Sequence, residues 1–317
     1  MTMEILVAGE ALIDMTPIAH DDGLAFQPRP GGSPLNVAIG LARLERAAGF
    51  LGAVSTDPFG QTLRDHLIAS DVDPRYVQSR SELSTLAFVH PGASEADEPQ
   101  YTFYGEGAAD TQLRVADLPE RLPESISALH TGSIATVREP VSSALAELLR
   151  REHSHRLISF DPNVRPELMG DADEYRSTLE GWLAHVDVVK TSRADLAWIA
   201  PNQRPIDIAE QWLKLGPQAI VVTLGAEGAI GLTQDDRVET DGWPVEVIDT
   251  VGAGDAFTSG LLARLAELDA LQRRDNRDIP AELLADAIAF ATQASAITCT
   301  RPGADPPRRQ ELTDRSS

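Results

Sequence analysis

Cysteine and lysine are nearly missing from this chain of 317 residues, which has one cysteine, Cys299, and two lysines, Lys190 and Lys214, among 27 basic side chains. A single cysteine excludes an intramolecular disulfide framework and any multi-cysteine metal site. No stretch approaches the run of about 18 apolar residues that a membrane span needs. Met1-Thr2-Met3-Glu4 lacks the basic start of a signal peptide, so a cytoplasmic location is expected. Basic charge as a whole is short: 49 acidic against 27 basic residues leave a net charge of −22. A field of that sign repels phosphate backbones and anionic lipid surfaces, so neither nucleic acid nor membrane is an expected partner. The excess acid reads either as a solubility device or as adaptation to a salty cytoplasm, and both readings stay open. What is present is ordinary: 42% hydrophobic and 24% charged residues, enough to bury a substantial core.

The chain opens on a short apolar run, Ile5 to Ala8, which ends in Gly9-Glu10 and reads as a buried strand entering a loop. Ser33-Pro34 has the look of an N-cap followed by an N1 proline, opening a helix through Val37, Leu41 and Leu44. A strand at Phe50–Val54 and a helix at Pro58–Ala69 come next. Two β-prone segments, Leu86–His90 and Tyr101–Tyr104, are separated by Pro91-Gly92 and an acidic turn, which is a hairpin pattern. From 126 onward strands and helices alternate. The strands are Ile126–His130, Leu157–Asp161, Val186–Lys190, Ile220–Leu224 and Val245–Asp249; the helices are 139–153, 173–184, 205–215, 254–268 and 280–298. Such alternation predicts a mainly parallel sheet covered on both faces, with its site beyond the carboxyl ends of the strands. The reading is a single α/β body over 1–317 with a small β appendage from about 12–30 and 84–108.

The stretch Asp249-Thr-Val-Gly252-Ala-Gly254-Asp255-Ala-Phe257 carries the chemistry. Glycines before a helix let backbone N–H groups converge, and the helix start adds about half a positive charge, making an anion site. Such a site suits the charge on a transferring phosphoryl group. Asp255 stands at its mouth, where a carboxylate would weaken anion binding. It is either a helix cap or a base that takes a proton from a substrate hydroxyl as the phosphoryl group arrives, and spacing alone leaves both open.

This stretch resembles the C-terminal signature of the ribokinase/PfkB sugar-kinase family. A second signature of that family stands near the N-terminus, Gly31-Gly32-Ser-Pro-Leu-Asn36-Val-Ala through Ala42-Arg-Leu to Gly52 and Asp57-Pro-Phe-Gly60. The resemblance runs from Gly9-Glu10-Ala-Leu-Ile-Asp14 to Thr300-Arg-Pro-Gly303-Ala. It implies a ribokinase-like three-layer α/β/α fold with a small β lid, and a Mg²⁺- and ATP-dependent sugar kinase. It also implies that Asp255 is the catalytic base, that Gly252, Ala253 and Gly254 form the anion hole, and that Asp14, Gly31, Gly32 and Asn36 bind sugar hydroxyls. Thr223, Gly225 and Gly228 resemble the nucleotide-binding segment, although the same residues suit a hairpin turn. No Walker A sequence occurs, so phosphate binding rests on the glycine turn with Mg²⁺ and cationic side chains helping. Lys190 and Ser192 lie in Val188–Asp195, where relatives often carry Asn-x-x-Glu; here serine and the shorter Asp195 replace the amide and the glutamate. The family often uses a monovalent cation such as K⁺, to which Asp249 and Val251 could turn carbonyls, yet Pro307 stands close to where some relatives have serine. Lid-mediated homodimers are common among relatives; nothing in this sequence fixes the oligomer.

Phe160-Asp-Pro-Asn-Val-Arg165-Pro is similar to fructokinase-type and 2-keto-3-deoxygluconate kinase-type members. Tyr104 and Arg165 complete the substrate-binding set that the resemblance implies. Relatives that take the acid sugar often place an arginine directly after the aromatic pair, where this chain has Gly105. A carboxylate substrate wants a guanidinium fork, so fructose is the first expectation. Arg165 keeps the acid sugar open, and aminoimidazole riboside is a further alternative. Two rivals from other classes are a dinucleotide-binding oxidoreductase, which lacks its G-x-G-x-x-G turn after the first strand, and a non-catalytic sugar or nucleotide sensor.

Overall fold

Strand β1 (Ile5–Ala8) is fully buried, and its side chains divide between two cores: Ile5 and Val7 on one face, Leu6 and Ala8 on the other. A strand apolar at every position can only be buried on both faces, and the rest of the chain supplies the two covers. The computed structural model describes residues 3–18, 23, 25–90, 100–271 and 279–312. After β1 come β2 (Leu12–Ile18), β3 (Ala25–Gly31), α1 (Ser33–Arg43), β4 (Ala48–Ser55), α2 (Pro58–Ala69) and β5 (Asp73–Arg80). Next are β6 (Leu86–His90), β7 (Gln100–Tyr104), β8 (Ala128–Gly132), α3 (Val141–Glu152), β9 (Leu157–Asp161), α4 (Pro166–Met169) and α5 (Ala172–Leu183). The chain continues through β10 (Val188–Ser192), α6 (Arg193–Ile199), α7 (Pro205–Leu213), β11 (Ala219–Thr223), β12 (Ala229–Leu232) and β13 (Arg237–Thr240), then α8 (Ala253–Glu267) and α9 (Ala281–Cys299).

Nine strands form one sheet in the order β13-β12-β11-β10-β9-β8-β1-β4-β5, with every neighbouring pair parallel except β11–β12 and β12–β13. Helices α1, α2, α8 and α9 pack with Ile5 and Val7, while α3, α5, α6 and α7 pack with Leu6 and Ala8. The result is the three-layer arrangement. Glycine sets the helix spacing on the first face. A Cβ on Gly40 would overlap Ser259 of α8, and one on Gly260 would lie 2.9 Å from the Cα of Ala291 in α9. Strand β1 lies between β4 and β8, and from it the chain winds outward first one way, then the other. A crevice opens beyond the carboxyl ends of the strands at such a switch point.

A separate four-stranded sheet, β3-β2-β6-β7, stands off the body. The turn between β6 and β7, with Pro91-Gly92, lies outside the described residues. Among the described residues no helix is long and apolar enough to cross a membrane.

Two sequence expectations need correction. The segment Val245–Asp249 is not a strand. Its Ile248 and Asp249 N–H groups both donate to the Cys299 carbonyl at the end of α9 instead of to a neighbouring strand. Val247 and Ile248 are consequently 58% and 66% exposed. The second correction concerns α1, whose N-cap is Gly32 at φ +105° and not Ser33. Ser33 is the first helical residue, which frees its hydroxyl for another partner.

Candidate active site

Helix α8 begins at Gly252, whose φ of +76° lies in the left-handed region that glycine adopts without strain. A Cβ there would stand 2.5 Å from that of Ala304. Asp255 is the third residue of the helix, and no side chain caps this helix start. Its carboxylate instead crosses to α1. Ser33 Oγ donates to one oxygen at 2.7 Å, and Asn36 Nδ2 donates to the other at 2.8 Å. Asp255 thus makes its side-chain hydrogen bonds to α1 and not to the start of its own helix. Two neutral donors hold the carboxylate in a fixed direction at the mouth of a helix whose first N–H groups have no intrahelical acceptor.

The pocket in front of Asp255 sits at the switch point of the sheet. The body contributes Glu10, Ser33, Asn36, Ser133, Asn163, Arg165, Val251 and Gly252; the small sheet contributes Leu12, Asp14, Tyr101 and Phe103. Register explains which faces of the small sheet look inward. Asp14 pairs with Ala87, and Ala87 with Phe103, so these share a face. A Cβ on Gly31 would overlap the Asp14 carboxylate, so glycine there makes room for it. Burial pushes the Asp14 carboxyl up to about 7, with Arg165 opposing and Asp255 adding to the rise. Arg165 itself donates to its neighbour's carbonyl on Val164 at 2.8 Å and lies 5.3 Å from the centre of the Tyr101 ring.

Tyr104, assigned to the substrate from sequence, is on the other face of β7. It is 64% exposed and packs edge-on against Phe88, with ring centres 5.4 Å apart. Tyr101 and Phe103 are the aromatic residues that meet the pocket, and strict alternation along β7 was the signal that separates them from Tyr104. Glu10, Ser133 and Asn163 also went unassigned from sequence. Glu10 is 2% exposed, and its carboxyl is raised to about 7 by burial, with hydrogen bonds from Ser133 and Ala135 opposing. Ser133 and Asn163 have φ of +58° and +39°, a left-handed conformation that costs a non-glycine residue of order 1–3 kcal/mol.

A model of the pfkB family of carbohydrate kinases matches residues 2–311. The chain belongs to this family. A fructokinase of Rhizobium leguminosarum bv. trifolii is 39% identical over 273 residues, spanning 85% of this chain and 82% of the relative. The crystal structure of fructokinase with bound ATP from Xylella fastidiosa superposes with a TM-score of 0.85 at 29% identity, covering 96% of this chain and 94% of that one. A fructokinase from Vibrio cholerae O395, in a form with fructose, ADP and calcium bound, gives 0.83 at 29% identity over 96% and 94%. The protein is a sugar phosphotransferase of the pfkB type.

Within this pfkB kinase the remaining residues singled out from sequence lie at four places. Lys190, on β10, is 3% exposed and donates to Asp161 at 2.9 Å; its Nζ lies 3.0 Å from where a Cβ on Gly254 would be. It therefore sits directly beneath the glycine turn. Ser192 caps α6, accepting from Asp195 N–H at 2.9 Å, while Asp195 accepts from Val164 N–H at 2.9 Å and so ties down the loop that carries Arg165. Thr223, Gly225 and Gly228 form the turn between the antiparallel strands β11 and β12, at the same carboxyl edge of the sheet, and do not line the pocket around Asp255. Asp249 accepts from Val251 N–H at 3.0 Å and from Gly303 N–H at 2.6 Å, binding the loop before α8 to the segment after α9.

Proposed function

We propose that the protein transfers the γ-phosphoryl group of Mg·ATP to the 6-hydroxyl of fructose. The observation that carries this reading is the Asp255 carboxylate, aimed by Ser33 and Asn36 into a pocket rich in neutral polar groups at the head of α8. Asp255 takes the proton of the attacking hydroxyl, and the N–H groups of Gly252, Ala253 and Gly254 receive the phosphoryl oxygens. Asp14, Gly31, Gly32 and Asn36 hold the sugar, and Arg165 borders it. The small sheet serves as a lid that keeps water from competing as acceptor. Thr223, Gly225, Gly228 and Ser192 lie along the sheet edge where the nucleotide is expected, and Lys190 adds positive charge beneath the turn.

Among the described residues no cluster of three or more acidic, histidine or cysteine side chains could hold a metal ion. This suits a Mg²⁺ carried by the phosphates of ATP, where it neutralises their charge. Asp249 spends its carboxylate on backbone N–H groups, so its carbonyl and that of Val251 are what a monovalent cation would use.

The fructokinase names of the relatives support fructose. The position after the aromatic pair supports it too. Thr85 and Arg138 crowd the space beside Gly105, so an arginine there would have to displace them, which supports the neutral sugar. Arg165 in the pocket favours 2-keto-3-deoxygluconate as the second reading. A coupled assay of ATP consumption over fructose, 2-keto-3-deoxygluconate, ribose and an aminoimidazole riboside decides between them. Fructose giving the highest kcat/KM is the expected result. Turnover of the acid sugar with fructose inert would overturn it, and no ATP consumption with any sugar would indicate a sensor.

A further inference from the structure

Three polar residues that no motif assigns meet at the bottom of the pocket, each from the end of a different strand. Glu10 follows β1, Ser133 follows β8 and Asn163 follows β9, and these strands are neighbours in the sheet. Two hydrogen bonds tie them to the pocket floor: Asn163 Nδ2 donates to Ser133 Oγ at 3.3 Å, and Ala135 N–H, two residues beyond Ser133, donates to Glu10 Oε2 at 3.3 Å. All three line the pocket that Asp255 faces.

This arrangement is built at a cost. Ser133 and Asn163 both keep a side chain at a positive φ, where glycine would sit without strain. Glu10 is a carboxyl group almost completely removed from water, with Asp110 adding to the pressure against its charge. A core in need only of filling has no use for any of these features. Strained backbone and buried acid at one place in a cleft are what a group that must face a ligand looks like.

We infer that Glu10, held by Ser133 and Asn163, reads a hydroxyl of the sugar other than the one phosphorylated, and is a specificity residue of this kinase. The Glu10 carboxyl has lone pairs beyond the bond it accepts from Ala135 N–H, and the Asn163 amide has a second N–H. A sugar hydroxyl placed between them can donate to the first and accept from the second. A substrate carboxylate in the same place would face an acidic oxygen. The pocket floor thus selects a neutral polyol over an acid sugar. This inference rests on the fructose reading and deepens it.

A cycle of enzyme and substrate deletions tests it. kcat/KM is measured for wild type, Glu10→Gln, Glu10→Ala and Ser133→Gly against fructose and its singly deoxygenated analogues. Wild type should lose about 10- to 100-fold with one particular deoxy sugar, the value of a hydrogen bond to a charged or strongly polar group. Glu10→Ala should lose that factor with fructose, mainly in KM, and show no further loss with the same deoxy sugar. Glu10→Gln keeps the shape and an acceptor for Ala135 N–H, and should fall in between. Ser133→Gly relieves the strained φ, so its thermal midpoint should hold or rise while its KM for fructose rises.

Equal losses across fructose and every analogue in Glu10→Ala would overturn the inference, as would a Ser133→Gly enzyme with unchanged KM. Fructose turnover by wild type tests the fructose reading separately. If another sugar proves to be the substrate, the same cycle run on its deoxy analogues decides the role of Glu10.

Discussion

The ammonium of Lys190 stands 3.0 Å from the place that a Cβ on Gly254 would take. Any residue but glycine at 254 would press on a charged group that is itself held at 2.9 Å by Asp161. Thr258, one turn further along α8, donates to the same Asp161 oxygen at 3.4 Å. The glycine turn thus rests on a buried ion pair, and the Lys190 ammonium lies behind the amides proposed to receive the phosphoryl group.

Removing that charge separates its two effects. Lys190→Met leaves Asp161 buried and unpaired, which should cost about 3–5 kcal/mol of stability. Adding Asp161→Asn should restore most of that loss in a urea titration. The KM for ATP should stay raised in the double variant, because the positive potential behind the turn is still gone. A double variant with normal stability and normal KM for ATP would show that the pair serves the fold alone.

Asp255→Asn keeps the size of the side chain while removing the base. Turnover should fall about 10²–10⁴-fold, with the Kd for ATP, read by calorimetry, close to that of wild type. Near-normal turnover would remove Asp255 from the chemistry.

Legibility from sequence tracked how local each feature is. The Gly252–Asp255 turn is a contiguous stretch, so an anion site was legible there, while the base role of Asp255 came from the family resemblance. The alternation of strands and helices likewise shows in the apolar pattern, which the two-sided burial of β1 explains. Tyr104 was misplaced because which face of β7 looks inward depends on its register with β6 and β2, and a shift of one residue exchanges the faces. Val245–Asp249 has the alternation of a strand, but its Ile248 and Asp249 N–H groups are taken by the Cys299 carbonyl at the end of α9, a contact that local sequence does not show. Glu10 was legible only as the end of the first strand and the start of the family stretch: its neighbours Ser133 and Asn163 in the pocket arrive from strands far along the chain, so their meeting exists only in the fold. Ser192 and Asp195 stood where relatives carry a polar pair, and the structure uses them in a capping box.

Gly105 offers a test of why no arginine follows the aromatic pair at the end of β7. A Cβ at 105 would overlap Thr85 Oγ1 and stand 3.0 Å from Arg138 Nη2. Arg138 also donates to the Gly105 carbonyl and at 2.9 Å to Asp110, which Thr85 bonds at 2.5 Å. Gly105→Arg should therefore disrupt this buried network at the end of β7 without creating a carboxylate site. The expected outcome is a lower thermal midpoint and a raised KM for fructose, with no gain in kcat/KM for 2-keto-3-deoxygluconate. A gain there of tenfold, about 1.4 kcal/mol, would show that the network yields and that position 105 governs the choice of sugar.

Asp14 sets a pH dependence whose sign can be worked out. In the unfolded chain its carboxyl ionises near 3.8, whereas burial in the folded pocket raises it to about 7. Between these values the folded state holds a proton that the unfolded state has lost, so stability falls as pH rises through this window and levels off above it. Glu10, also raised to about 7, adds a slope of the same sign from its own ordinary value of 4.5. Each group contributes at most about 1.4 kcal/mol per pH unit. Asp14→Asn should flatten the curve by one such contribution, so that urea midpoints of variant and wild type diverge from pH 5 to pH 8, with the variant the more stable at pH 8. The same variant should bind fructose worse, since an amide that donates as well as accepts replaces a pure acceptor of sugar hydroxyls. A gain in stability paired with a loss in sugar affinity would mark Asp14 as a group kept for its ligand. A variant less stable than wild type at pH 8 would mark it as part of the fold.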